Sequence, residues 1–115
     1  MVSKKKTNII MLSLVILVMV IIFGILYLKN SNLEENTMKC IAEKSFIYDS
    51  KTCTACAYQK TLLGDYVGFF DFRDISEHPE AFTEYNIPGT PSWIINDEVY
   101  AGARSIEQLK EITGC

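Results

Sequence analysis

The sequence predicts a small α/β domain with a mixed central sheet, its elements in the order β-α-β-α-β-β-α, carried behind one N-terminal transmembrane helix. Three observations lead there. Uncharged aliphatic residues fill positions 9–28, short β-prone segments then alternate with helix-forming ones, and a hairpin followed by one more helix closes the chain. With 115 residues there is room for a single domain beyond the apolar run.

The apolar run comes first. Positions 7–28 carry no charge, and within 9–28 only Ser13 and Tyr27 have polar side-chain groups. A helix of that length covers about 30 Å at ~1.5 Å per residue, the thickness of a bilayer's hydrocarbon core. Tyr27 then falls at the far interface, where amphipathic rings sit. A cleaved signal peptide is the alternative, but its apolar region would be shorter, roughly 7–15 residues, with a small-x-small site after it. Tyr27-Leu28-Lys29-Asn30 stands there instead, which favours a retained anchor. Lys4, Lys5 and Lys6 precede the span and Lys29 alone follows it closely. The positive-inside rule therefore puts residues 1–8 in the cytoplasm and the rest outside it, in a single-pass protein of the cell membrane. Disulfides form and persist in that compartment, so the four cysteines read first as redox groups.

Residues 29–37 (KNSNLEENT) are polar and short, and are expected to tether the anchor to a folded domain at 38–115. A β-prone run at 45–48 (SFIY) ends in the turn signal Asp49-Ser50. Residues 54–63 form helix readily, with Ala55, Tyr58, Leu62 and Leu63 as expected core contacts and Gly64 as the stop. A strand is expected at 66–72 (YVGFFDF), burying Phe69, Phe70 and Phe72. A helix then opens near His78-Pro79, with Pro79 in its first turn and Ala81, Phe82 and Tyr85 following. Strands at 92–96 and 98–101 flank Asn96-Asp97, a tight hairpin. The last helix opens at Ser105 with Gln108 three residues on, a capping box, and closes at Gly114. Alternating units, then a hairpin and a helix, imply a mixed sheet covered on both faces.

Charge narrows the partners. Eleven basic residues less the three N-terminal lysines leave eight, against fourteen acidic ones, a balance of −6 over residues 29–115. An acidic surface excludes nucleic acid as the expected partner, because phosphate binding needs clustered Lys and Arg. Acidity otherwise serves solubility.

The chemistry concentrates in Cys53-Thr54-Ala55-Cys56, between the first expected strand and helix. Cysteines at that spacing can close a disulfide across a first helical turn, where unpaired backbone N–H groups and the helix dipole favour a thiolate. Cys53 is the expected nucleophile and Cys56 the resolving cysteine. The competing assignment is half of a zinc site. Only Cys40, Cys115 and His78 remain as ligands of the usual kind, and they form neither a second CxxC nor a cluster, so no metal and no cofactor are expected. His78 reads as a solvated helix-start residue. A second constellation, Ile87-Pro88-Gly89-Thr90-Pro91-Ser92-Trp93, precedes the hairpin, and Pro91 at a strand opening is a candidate cis peptide.

A CxxC at a helix start, a Gly-Thr-Pro turn opening a hairpin and a terminal helix together resemble the thioredoxin superfamily. Residues 90–96 (TPSWIIN), Tyr100-Ala101-Gly102, Ser105-Ile106-Glu107-Gln108-Leu109 and Gly114, with Gln59-Lys60 and Leu63-Gly64, are similar to one branch of it. That branch is the thioredoxin-like domain that works beside, or is fused to, bacterial homologues of vitamin K epoxide reductase. The resemblance covers roughly residues 46–115. It implies a thioredoxin-like fold and a protein thiol–disulfide oxidoreductase, with Pro91 as the cis-proline facing the disulfide. It also implies that Thr90 presents its backbone to an incoming peptide, with Gly89 beside it. Trp93, on an expected strand, reads first as a packing residue, with the edge of the substrate groove as its alternative role. The Thr90 hydroxyl would donate to the Cys53 thiolate, favouring the reduced form. Protein dithiols or disulfides would be the substrates, and a vitamin K epoxide reductase-like membrane protein would reoxidise the domain and pass electrons to a quinone.

Two departures stand out. The buried acid that many thioredoxins carry six residues before the first cysteine is Ile47 here, leaving Glu43, Asp49 or Lys60 to handle the Cys56 proton. The usual Trp and Gly-Pro flanks are also absent, so the potential is not transferable. In the thioredoxin topology the first strand starts, and the last helix ends, at the edge opposite the active site, so Cys40 and Cys115 are expected to meet as a structural staple. Closing so long a loop contributes about 3–5 kcal/mol. A shuttle pair trading with Cys53–Cys56, or pairing between molecules, are the alternatives. Three functions follow: an oxidant of secreted proteins, a reductant that keeps thiols reduced, or a binding or chaperone module with structural cysteines. The intact CxxC and the proline turn count against the third.

Overall fold

The structure, a computed structural model, describes residues 2–115. The chain divides into two compact units, the first ending at Glu34 and the second spanning Glu35–Cys115. Helix α1 (Val2–Glu43) supplies every described residue of the first unit. Its large apolar side chains from Ile9 to Leu28 are exposed, and it is long and apolar enough to cross a bilayer.

Residues 29–37, expected as a tether, lie within α1 instead. The sequence offers no reason to break a helix there. Neither Gly nor Pro occurs between Gly24 and the end of α1 at Glu43, and Lys39 pairs with Glu35 one turn back at 2.7 Å. In the second unit the last turns of α1 bury Met38 and Ile41. The Lys44 amide and the Ser45 hydroxyl both donate to the Ile41 carbonyl, closing the helix.

Strand β1 (Ser45–Asp49) leads to α2 (Thr54–Leu63), which Gly64 stops at φ 58°. The expected strand over 66–72 is a correction: the chain makes a 3-10 turn at Gly64–Phe69 and pairs only as β2 (Phe72–Asp74). The Phe70 amide bonds to the Val67 carbonyl, so the first part of this apolar run satisfies its backbone locally. Phe70 is buried edge-on to Trp93 at 5.7 Å, but Phe69 is 41% exposed and outside the core. Helix α3 (Glu80–Thr83) is a single turn whose cap is Pro79 itself; Ala81 is buried and Phe82 exposed.

Strands β3 (Ser92–Ile95) and β4 (Glu98–Ala101) form the expected hairpin, with Asn96 and Asp97 both at positive φ, as a two-residue turn of this hand requires. Helix α4 (Ile106–Thr113) carries the complete Ser105/Gln108 capping box and ends at Gly114 in the left-handed region. The sheet order is β2-β1-β3-β4, with β1 parallel to β2 and antiparallel to β3. It is therefore a mixed α/β sheet.

Alternation sorts the side chains onto two faces. Ile47, Trp93 and Ile95 pack with Met38, Ile41, Leu63, Phe70 and Leu109, the side of α1, α2 and α4. Tyr48 and Ile94 pack with Ala81 and Ile87, the side of α3. Covered on both faces, β3 is buried at every position.

Candidate redox site

The site grows from the C-terminal end of β1. The chain turns at Ser50, whose carbonyl accepts from the Cys53 amide at 3.2 Å, and Cys53 takes the N-cap position of α2 in extended backbone. Its sulfur does what a capping oxygen usually does. The Cys56 amide donates to Cys53 Sγ at 3.0 Å. An N–H aimed at sulfur at a helix N-terminus favours negative charge there once the thiol is free.

Cys53 and Cys56 are joined in a disulfide, with Cα atoms 5.2 Å apart. The two sulfurs are not equivalent. Cys53 is half-buried, whereas Cys56 is 2% exposed on the inner face of α2. A thiolate arriving from solvent can reach the first and not the second.

The proline segment lies against this pair. The Thr90–Pro91 peptide is cis, and Cys53 Sγ is 3.4 Å from the Thr90 carbonyl oxygen. With the pair oxidised, the Thr90 carbonyl is the group that lies against Cys53 Sγ. It accepts from a thiol and repels a thiolate, opposing the helix amide. Pro91 is buried, and its carbonyl accepts from the Gly102 amide at 2.8 Å. Gly89 is exposed, its carbonyl accepting from the Ser92 hydroxyl at 2.7 Å.

Trp93 takes the packing role, and its place among the substrate-binding residues is a correction. It is 0% exposed and points into the core shared with α2 and α4, so it cannot edge a groove. Its indole N–H donates to Gln59 Oε1 at 2.9 Å. Gln59, fully buried on α2, also accepts from the Arg104 amide at 2.6 Å and donates to the Arg104 carbonyl at 3.0 Å. The signal for it was spacing: Cys56, Gln59 and Leu63 fall three and four apart, on one helix face. Tyr58, expected in the core, is 58% exposed.

Of the three proton-handling candidates, Glu43 is exposed at the end of α1. Asp49 is buried at the end of β1, two residues beyond Ile47 and so on the same sheet face, and pairs with Lys60 at 3.0 Å. Lys60 lies one turn past Cys56 on α2. His78 pairs with Glu80 at 2.9 Å near the start of α3. Among the described residues no group of three His, Cys, Asp or Glu side chains is arranged to hold a metal.

Cys40 and Cys115 are also disulfide-bonded, with Cα atoms 6.0 Å apart. Beside them Lys44 Nζ donates to the Thr113 carbonyl at 3.1 Å. Helix α4 separates the two bonds, since Arg104 before it meets Gln59 and Cys115 follows it. Its eight residues alone span about 12 Å.

A scan against protein-family models finds no match for this chain, and a search of the curated proteins finds none either. The assignment of function therefore stands on the geometry.

Proposed function

We propose that this chain is a membrane-anchored, extracytoplasmic protein thiol–disulfide oxidoreductase with a thioredoxin-like domain. The observation that carries the reading is the unequal pair at the start of α2: a half-buried Cys53, its sulfur held by the Cys56 amide, bonded to a buried Cys56. The uncharged length of α1 and the lysines before it support the anchor and its orientation.

The chemistry is exchange. A client thiolate attacks Cys53 Sγ in line with the intramolecular bond, the Cys53–Cys56 bond breaks, and the electron pair leaves on Cys56. A second client thiolate then attacks the client sulfur of the mixed disulfide and displaces Cys53. The client is oxidised by two electrons and the pair is reduced by two. A membrane partner of the vitamin K epoxide reductase type, itself oxidised by a quinone, would accept those electrons. The Thr90 backbone beside Cys53 suits an extended client segment.

The test uses the full chain in detergent. Offered a peptide that carries a disulfide, the Cys56→Ala variant should accumulate a mixed disulfide through Cys53, and Cys53→Ala should accumulate none. Absence of any mixed disulfide would sink the reading. The potential of the pair in glutathione buffers sets direction: a value at or above about −200 mV marks an oxidant, and one near about −270 mV a reductant.

A further inference from the structure

A fully buried glutamine on the helix that carries a redox pair calls for an explanation, because burying an amide costs stability unless its hydrogen bonds are made. Gln59 makes three: Oε1 accepts from Trp93 Nε1 and from the Arg104 amide, and Nε2 donates to the Arg104 carbonyl. Its amide thus pairs with both polar groups of Arg104 as a neighbouring strand would. The partners explain its placement. Trp93 stands two residues after Pro91 on β3. Arg104 stands two residues after Gly102, whose amide donates to the Pro91 carbonyl at 2.8 Å. Both routes from Gln59 therefore end at Pro91, and Thr90, next to it, places its carbonyl 3.4 Å from Cys53 Sγ. Gln59 itself is one helical turn beyond Cys56. No apolar side chain could replace this link, since it would leave the Trp93 and Arg104 groups without partners in the interior.

We infer that Gln59 is a positioning residue, whose side-chain amide fixes the Thr90–Pro91 segment relative to the Cys53–Cys56 pair and so sets the seat of an extended peptide substrate. The inference rests on the oxidoreductase reading and deepens it. A peptide must lie on the Thr90 backbone while its sulfur meets Cys53, so it senses the spacing of the two segments. A small alkylating reagent meets Cys53 alone and does not.

The experiment compares two rates in the full chain in detergent, for wild type and Gln59→Met, which keeps the volume and removes the hydrogen bonds. One rate is exchange between the reduced pair and an extended peptide carrying a single cysteine–glutathione disulfide. The other is alkylation of Cys53 by iodoacetamide. A misplacement of about 1 Å can cost up to about a hundredfold, so peptide exchange should fall by about tenfold or more while alkylation stays within about twofold. Equal falls in both rates, or no fall in either, would overturn the inference. Wild type that exchanges with no peptide at all would instead count against the oxidoreductase reading. Should Gln59→Met fail to fold, judged by Trp93 emission, Gln59→Glu carries the test. As a carboxylate it still accepts from Trp93 and Arg104 but no longer donates to the Arg104 carbonyl. Its peptide exchange, relative to wild type, should therefore decline as pH rises, with alkylation relative to wild type unchanged. A flat ratio would overturn the inference equally.

Discussion

Replacing Cys40 and Cys115 together by serine removes a cross-link whose worth can be worked from the chain. The bond joins residues 75 apart in sequence. In the chain-entropy treatment, a loop of that length restricts the unfolded chain by about 15 cal/mol/K, which is about 4.5 kcal/mol at 25 °C. The second unit has about 80 residues, and domains of that size are stable by roughly 4–12 kcal/mol, so the loss is a large share of the whole. With a urea dependence of about 1 kcal/mol per molar, the midpoint should drop by about 4.5 M. Trp93 is the single tryptophan and is fully buried, so its emission reports this unit while the apolar part of α1 stays in the micelle. A double variant already unfolded in buffer agrees with the estimate. A midpoint within about 1 M of the parent, at unchanged slope, would refute the reasoning and show that the unfolded chain is held compact by other means.

Three further outcomes follow from local geometry. Ser105→Ala removes the cap that accepts from the Gln108 amide at 3.2 Å and should cost about 1 kcal/mol in the same urea titration. Asp97 sits at φ 62° in the hairpin turn, so Asp97→Gly should stabilise the unit by about 1 kcal/mol, read as a higher midpoint. The Ser76 hydroxyl and amide hold the Asp74 carboxyl below its ordinary range. A group whose folded pKa is depressed contributes stability above its unfolded pKa and loses it as pH falls through the folded one. Asp74→Asn should therefore flatten the loss of stability below about pH 4, seen in midpoints measured across that range.

What could be read in advance depended on how local the determinants are. The capping box at Ser105, the stop at Gly114, the Asn96-Asp97 turn and the Cys53–Cys56 pair each depend on residues within a few positions, and each stands where the sequence puts it. The inner face of α2 did not yield to the same reasoning. Leu63 is buried as expected, but Ala55, Tyr58 and Leu62, an apolar stripe at helical spacing, lie one position away from Cys56, Gln59 and Leu63, the stripe that is buried. Counting apolar residues favours the first because the second contains an amide. Only the partners on β3 and before α4, 34 and 45 residues away, make the amide acceptable in the interior. The run 66–72 failed for a related reason. Its hydrophobicity suits a strand, but Gly64 turns the chain so that local bonds consume the first residues, and only Phe72 onward reaches the edge of β1. Trp93 packs, as a strand residue is expected to, and the cover on both faces of β3 leaves it no place at a groove edge.

The Cys40–Cys115 bond also closes residues 40–115 of the second unit into a covalent ring. A protease that cuts once inside the ring, in the exposed turn at Asn96-Asp97 for example, produces two polypeptide pieces that cannot part. Even a cut between Cys40 and Cys53 leaves the Cys53–Cys56 segment tied to α1 through Cys115. Release then requires a second cut or a reductant, so nicked molecules would run as intact on a gel without thiol and separate only with it. Turnover of this domain is thereby governed by the redox state of its surroundings as well as by the proteases in them.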